Sequence, residues 1–397
     1  MKQIRLKDIA ISQTGPFGSQ LHEEDYVDKG TPIVTVEHLG DVEFTTQNLP
    51  MVSDEDKERL NKYILREGDI VFSRVGSVDR STYVKKEQEG WLFSGRCLRV
   101  RCDSELVNPR YLSFYFKLDQ FKKMMLNLSV GATMPSLNTA IMDNILISLP
   151  TIDIQNKIAV FLDNIDEKVS NNNEIAQQLK AMAKTIYDYW FLQFEFPNEE
   201  GKPYKSSGGK MVWNEELQRD IPEGWNIEKL KDIIIENSKS KIKVGDVKNE
   251  GDIPFFTSGA DILATSEPLV SGLNCYLNTG GNADVKYYYG DASYSTDTWC
   301  ITAKDDMKYI LPFILDKIKP SMDKVFFQGT GLRHLQKNLL REYSICIPNN
   351  DVTKKFEKIA RDIFEQQHNL LAENRKLESL KEFLLPLLMN GQVTVGE

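Results

Sequence analysis

Residues 154–191, IQNKIAVFLDNIDEKVSNNNEIAQQLKAMAKTIYDYWF, decide how this chain is built, because their pattern occurs twice. Within them Ile158, Leu162, Ile165, Val169, Asn172, Ala176, Leu179, Ala183, Ile186 and Trp190 follow an unbroken 4-3-4-3 spacing. Such spacing lays a narrow apolar stripe along a long helix and turns it toward a single partner. Adding 198 to each number yields Phe356, Ala360, Ile363, Gln367, Leu370, Asn374, Leu377, Lys381, Leu384 and Leu388. This second seam is more polar, and Ile359, Leu380 and Leu387 are expected to widen it. The same offset carries Tyr111 onto Tyr309, Gly131 onto Gly329, Leu137 onto Leu335 and Pro150 onto Pro348. Each half therefore ends in a strand, a proline and a long amphipathic helix. The chain reads as an internal duplication.

At 397 residues, with 41% apolar and 10% aromatic side chains, the chain has the composition of a folded protein of two or three domains. The apolar run from Phe383 to Met389 is too short, and too broken by Pro386, to span a bilayer. Residues 1–10 lack the apolar core of a signal peptide. The cysteines at 97, 102, 275, 300 and 346 form no CxxC pair. Neither a disulfide framework nor a zinc site is suggested, and a reducing cytoplasm is the expected location. The net charge of −9 means that a DNA-facing surface would need local basic patches or a basic partner.

Taken in order, the chain is expected to hold a globular domain over 1–150 and a long helix over 151–196. A linker over 197–221, a second domain over 222–350, a second long helix over 351–391 and a tail over 392–397 follow. Strand-like runs at 32–36, 69–74, 97–102 and 145–149, with a helix from Tyr111 to Met125, predict an α+β domain with an irregular, mainly antiparallel sheet. The second domain should carry strands at 253–257, 285–289 and 298–302 and a helix over 310–317. Asp153 is the expected cap of the first long helix, and the Pro/Gly/Ser-rich linker reads as a passive tether.

No catalytic constellation is legible. Asn108-Pro109-Arg110-Tyr111 has some likeness to the motif of adenine-amino methyltransferases but lacks its second proline, so it reads as a helix start. His22, His38, His334 and His368 show no metal-ligand spacing, and Gly280-Gly281-Asn282-Ala283 is not a phosphate-binding loop.

The candidates for nucleic acid are arginines and turn residues. Arg74, Arg80, Arg96, Arg99, Arg101 and Arg110 fall in one region, and Arg99 and Arg101 alternate with apolar neighbours, which gives a strand one basic face. Guanidinium forks suit phosphates and guanine edges. Ser77 follows Arg74 in a glycine-containing loop, and Phe17, Gly18 and Ser19 lie in another. Thr133 in the first half, and Ser258, Gly280, Gly281, Asn282, Gln328, Thr330 and Arg333 in the second, complete the set.

With these residues in hand, the whole chain resembles the specificity subunit of type I restriction–modification systems. The resemblance rests on the duplicated domain-plus-helix order, Gly15-Pro16-Phe17-Gly18-Ser19-Gln20-Leu21, and Gly68-Asp69-Ile70-Val71-Phe72-Ser73-Arg74. Leu149-Pro150 before the first helix and Ser206-Ser207-Gly208-Gly209 leading to Ile221-Pro222-Glu223-Gly224-Trp225 add to it. It implies two target-recognition domains, each reading one half of a bipartite asymmetric site on double-stranded DNA. It also implies a long antiparallel two-helix coiled coil that separates them with pseudo-two-fold symmetry, sets the half-site spacing and docks two methyltransferase subunits. Where the system cleaves DNA, two restriction subunits are implied as well. The resemblance makes this chain non-catalytic and free of cofactors, with S-adenosylmethionine, and ATP and Mg for restriction, in the partner subunits. Two rival readings are a coiled-coil scaffold that binds no DNA and a stand-alone methyltransferase. Salt-sensitive DNA binding in complex and S-adenosylmethionine binding by the isolated chain discriminate them.

Overall fold

The structure is a computed structural model that describes every residue except Phe17, Ser19, Ala132, Thr133 and Glu397, and only the backbone of Glu23. The chain divides into two compact units, residues 1–169 with 377–397 and residues 170–376. The division falls inside both long helices, Ile152–Tyr187 and Asn350–Met389, so each unit owns a stretch of each helix. The expected boundaries at 150 and 350 lie at the starts of the long helices and the one at 221 falls inside the strand Arg219–Pro222; none is an edge of the compact units.

In the first unit a four-stranded antiparallel sheet runs in the order 10–14, 97–102, 70–73, 81–83. A second sheet holds 26–27, 51–52, 31–34 and 92–93, with one parallel pair, Ile33 beside Leu92 and Val34 beside Phe93. Lys2–Arg5 pairs antiparallel with Leu146–Leu149, which brings the start of the domain to its end. The predicted helix from Tyr111 to Met125 is two helices, Pro109–Tyr115 and Asp119–Leu128. Their Phe116 and Phe121 pack on Phe72 of the sheet.

The second unit repeats the plan. Its four-stranded sheet runs 234–236, 298–303, 273–278, 285–289. A smaller sheet of 262–265, 253–256 and 293–294 contains the one parallel pair, Phe255 beside Ser293 and Phe256 beside Tyr294. Asn226–Lys229 pairs with Ser344–Ile347 as Lys2–Arg5 does in the first unit. Leu273–Asn278, the central strand, carries no alternating pattern because every one of its residues is buried, and period two vanishes when both faces are covered.

The linker is not a passive tether. Met211–Asn214 and Arg219–Pro222 form a β-hairpin, and Phe196 stacks on both Tyr204 and Trp225. The first long helix begins at Ile152, one residue before the expected cap, and the Thr151 carbonyl accepts from the Gln155 N–H. Asp153 instead lies in the first turn, where a carboxylate complements the helix dipole. Buried Gln155 then locks this end to the domain. Its side-chain oxygen accepts from the Asn108 N–H at 2.9 Å and its amide donates to the Pro150 carbonyl at 3.0 Å.

The two seams are present at the expected spacing. Ile158, Leu162, Ile165, Asn172 and Ile363 are buried, and Val169, Leu179, Ile186, Leu370, Leu377 and Leu384 are half-buried. Within the first unit Ile158 and Leu162 share a core with Leu388 and Met389, while Asp166 is bonded to Lys381. Within the second unit Asn172 bonds Asn374 at 2.8 Å and the Ala176 carbonyl accepts from Gln367 at 2.7 Å. In both units the partner's number falls as the first helix advances, so the pairing is antiparallel. Ile359 and Leu380 do not widen the second stripe; both are exposed. That role falls to Val352 and Phe364, buried beside Phe356 and Ala360.

Candidate nucleic-acid interface

The arginine-bearing strand of the first unit does not offer a basic face. Arg99 is 5% exposed; it donates to the Ile64 carbonyl at 3.0 Å and to Gln13, and its charge lies 4.0 Å from Asp69. Arg101 clamps Asp69 with two bonds of 2.7 Å and also reaches the Ile64 carbonyl. Asp69, itself only 1% exposed, receives the Arg66 N–H as well. These donors are spent inside the protein, so Arg99 and Arg101 leave the set of DNA-facing candidates. The arginines share one face of the strand as expected, but that face is covered by residues 62–69. Arg110 is spent likewise, on Asp163 and, at 3.1 Å, Asp166 of the first long helix. Asn108 caps its own helix by accepting the Tyr111 N–H at 2.9 Å, the helix start that the sequence predicts for this motif.

What remains exposed converges at one end of the sheet. The Arg74 N–H donates to the Arg96 carbonyl at 2.8 Å, and the Arg74 guanidinium donates to the Gly95 carbonyl at 3.0 Å. The Gly76 N–H donates to the Pro135 carbonyl, the Leu137 N–H to the Arg74 carbonyl, and the Gly15 N–H to the Cys97 carbonyl. Four loops, around 15–20, 74–80, 94–97 and 130–137, are thereby tied together. Arg74 is half-buried and Gly18, Ser77, Arg80 and Arg96 are exposed on them. Phe17, Ser19 and Thr133 belong to these loops in sequence and lie outside the described residues.

The second unit assembles the same cluster from its own residues. The Thr279 N–H donates to the Asp297 carbonyl at 3.1 Å, the Gly281 N–H to the Arg333 carbonyl at 2.9 Å, and the Leu335 N–H to the Thr279 carbonyl at 3.0 Å. Bond for bond, Thr279 stands where Arg74 does, Gly281 where Gly76 does, and Asp297 where Arg96 does. Ser258 joins the cluster by donating to the Asp297 carbonyl. Arg333 donates to the Asp323 carbonyl at 2.9 Å and carboxylate at 3.1 Å, and to Asn282. The Ala283 N–H, with Arg333 beside it, holds the Asp323 carboxyl below its usual range. Gly280 and Gly281 are half-buried in this cluster, and Gln328 and Thr330 are exposed at its rim. The second-half candidates are therefore gathered in one place.

The sequence singles out Thr133, Gln328 and Thr330 in a matched pair of loops, but not Met134 and Leu332 beside them. Val130 and Ser136 exchange backbone bonds of 3.0 and 2.9 Å, and Gln328 pairs with His334 in the same way, 198 residues on. The loops so closed carry Met134 and Leu332, which are 65% and 66% exposed. The matching positions of Gly131 and Gly329 were the available signal.

Among the described residues no His, Cys, Asp and Glu cluster could hold a metal ion, and no helix is long and apolar enough to cross a membrane.

The family model for the type I restriction modification DNA specificity domain matches residues 1–181 and 222–382. The chain is 26% identical over 321 residues to the type I restriction enzyme MjaIX specificity subunit of Methanocaldococcus jannaschii, covering 73% of this chain and 70% of that one. It is 20% identical over 406 residues to the HindI specificity subunit of Haemophilus influenzae, with 84% and 88% covered. Its fold is similar to that of the S subunit of a type I restriction–modification system from M. genitalium, with a TM-score of 0.59 at 14% identity and coverage of 98% and 95%. With its family model spanning both halves, the chain belongs to the type I restriction–modification specificity subunits, the DNA target-recognition components of those systems.

Proposed function

We propose that each loop cluster reads one half of a bipartite, asymmetric target on double-stranded DNA. The observation that carries this is the repeated backbone scaffold with different side chains on it: Arg74 and Arg96 in one cluster, Thr279 and Asp297 in the other. A scaffold duplicated and then diversified suits two readers of different sequences. We further infer that the paired helices set the spacing between half-sites and dock two methyltransferase subunits. Those subunits would carry S-adenosylmethionine and all the chemistry; with two restriction subunits, using ATP and Mg, the assembly would cleave DNA. The chain would act in the cytoplasm, where its DNA is, and a net charge of −9 makes specific binding depend on local arginines and on those partners.

The experiment is an exchange of residues 1–150 for the corresponding domain of a relative, with the methylated motif read by sequencing the host genome. One half of the motif should change and the other stay. A change in both halves, or in neither, overturns the reading.

A further inference from the structure

We infer that the loops closed by Val130–Ser136 and Gln328–His334 are a matched pair of sequence-independent DNA anchors, with Met134 and Leu332 as their apolar tips. This rests on the function proposed above and divides its labour: the tips hold the duplex, and the residues that differ between the clusters read it.

Three observations converge. First, the glycines near the start of the two loops are set the same way. Gly131 has φ +111° and Gly329 φ +141°, conformations open to glycine. A Cβ at either would come within 2.6 Å of the Met134 carbonyl oxygen or 2.9 Å of that of Leu332. Each glycine thus lies against the carbonyl of the residue three places ahead, and that residue is the tip.

Second, the tips kept their character where their surroundings did not. Asp297 stands opposite Arg96 and Thr279 opposite Arg74 at hydrogen-bond-equivalent positions. The tip stayed large, apolar and about two-thirds exposed in both units. An apolar side chain held in water adds nothing to the fold, so its retention at both places points to a surface it meets.

Third, that surface is continuous with the candidate interface. Each loop is bonded to the same partners within it, Gly76 and Arg74 in one unit and Gly281 and Thr279 in the other. In the first unit Arg80 and Arg96 are exposed beside it. A DNA backbone that met those guanidinium groups would bring its groove or a base step against the tip. Apolar wedges act on duplex DNA in this way, and between base steps they meet the stack rather than the hydrogen-bonding edges that distinguish bases.

The test uses the full complex of this chain with its methyltransferase subunits and two fluorescent duplexes, one with the methylated target and one scrambled. Met134→Ser and Leu332→Ser should each weaken binding to both duplexes by a similar factor, on the order of tenfold. The methylated motif should stay as in the wild type. Because the tips are uncharged, the dependence of log affinity on log salt should keep its slope. Met134→Leu should bind as the wild type does. Unchanged affinity in the double serine variant, an altered motif, or a shallower salt slope each overturns the inference. A wild-type complex that fails to prefer its target would overturn the underlying function itself.

Discussion

The central sheets of the two units solve the same problem with opposite chemistry. Strand register places Gln13, Asp69, Arg99 and Arg101 of the first unit where Asn237, Asn274, Cys300 and Thr302 stand in the second. In the first, a buried carboxylate is clamped by Arg101, with Arg99 4.0 Å away. In the second, Asn237 donates to Asn274 at 2.8 Å, and Thr302 donates to the Leu273 carbonyl at 2.7 Å. The two units place a charged and a neutral network at the same backbone positions, so the fold does not require charge there. What burial demands is partners for polar groups, and the exception in the first network is Arg99 Nε, which makes no hydrogen bond and lies 4.0 Å from the Asp69 carboxylate. The difference teaches that a cluster of arginines in sequence can be a private matter of one domain's interior.

The comparison can be broken most forcefully at Asp69. Asp69→Ala leaves buried Arg99 and half-buried Arg101 without their carboxylate and should cost about 3–5 kcal/mol. The matching Asn274→Ala removes neutral bonds and should cost about 1–3 kcal/mol. Hydrogen exchange should report the first loss in strand 70–73 and the second in strand 273–278. Equal losses would mean that the charged network is no more committed than the neutral one.

Lys117 sharpens the contrast through pH. It lies in the first unit 198 residues before fully buried Leu315, and its ammonium group donates to the Ser81 carbonyl. Burial pushes its pKa down from 10.5 to about 8, partly opposed by Asp41. The unfolded chain therefore binds the proton more tightly than the folded one. Below pH 8 this mismatch costs stability in full; as the pH rises from about 8 to about 10.5 the unfolded chain loses its proton too and the cost disappears. Urea unfolding of the wild type relative to Lys117→Leu should thus improve by on the order of 3 kcal/mol across that window. A difference that stays flat with pH would place Lys117 in water.

The smallest expected effect is at the helix pair. Asn172 bonds Asn374 and, at 2.8 Å, Glu373, while Asn374 bonds Asn173 at 2.9 Å. The positions related to this pair by the offset of 198 are Leu370 and Ala176. Replacing both asparagines by the apolar pair, Asn172→Leu with Asn374→Ala, should raise stability by about 1 kcal/mol while loosening the register that the amide bonds specify. Methylome sequencing should then show tolerance of more than one spacing. If only the original spacing is methylated, the amides do not hold the register.

How far the sequence could be read follows from the range of the interactions involved. The helices were legible because a seam is a local pattern: Ile158 to Trp190 announces its own period whatever it packs on. The duplication was legible because the offset of 198 preserves Tyr111, Gly131, Leu137 and Pro150 in kind. The α+β class followed from short strands such as Cys97–Cys102. Strand 273–278 leaves no alternation to see because both its faces are buried, and strand 10–14 because its one large apolar residue, Ile11, is 69% exposed.

Only the tertiary structure decided which polar groups are free to act. Arg80 and Arg99 look alike in sequence, yet one is exposed and the other is held by Ile64 and Gln13, because strand 97–102 packs beneath residues 62–69. The burial of a guanidinium depends on what the chain folds over it, and its partners lie 35 and 86 residues away. The linker's order has the same cause, since Trp225 reaches Phe196 only once the chain has turned back on itself. Local periodicity is written along the chain; the satisfaction of donors and acceptors is settled between distant segments, and the choice of interface residues depends on it.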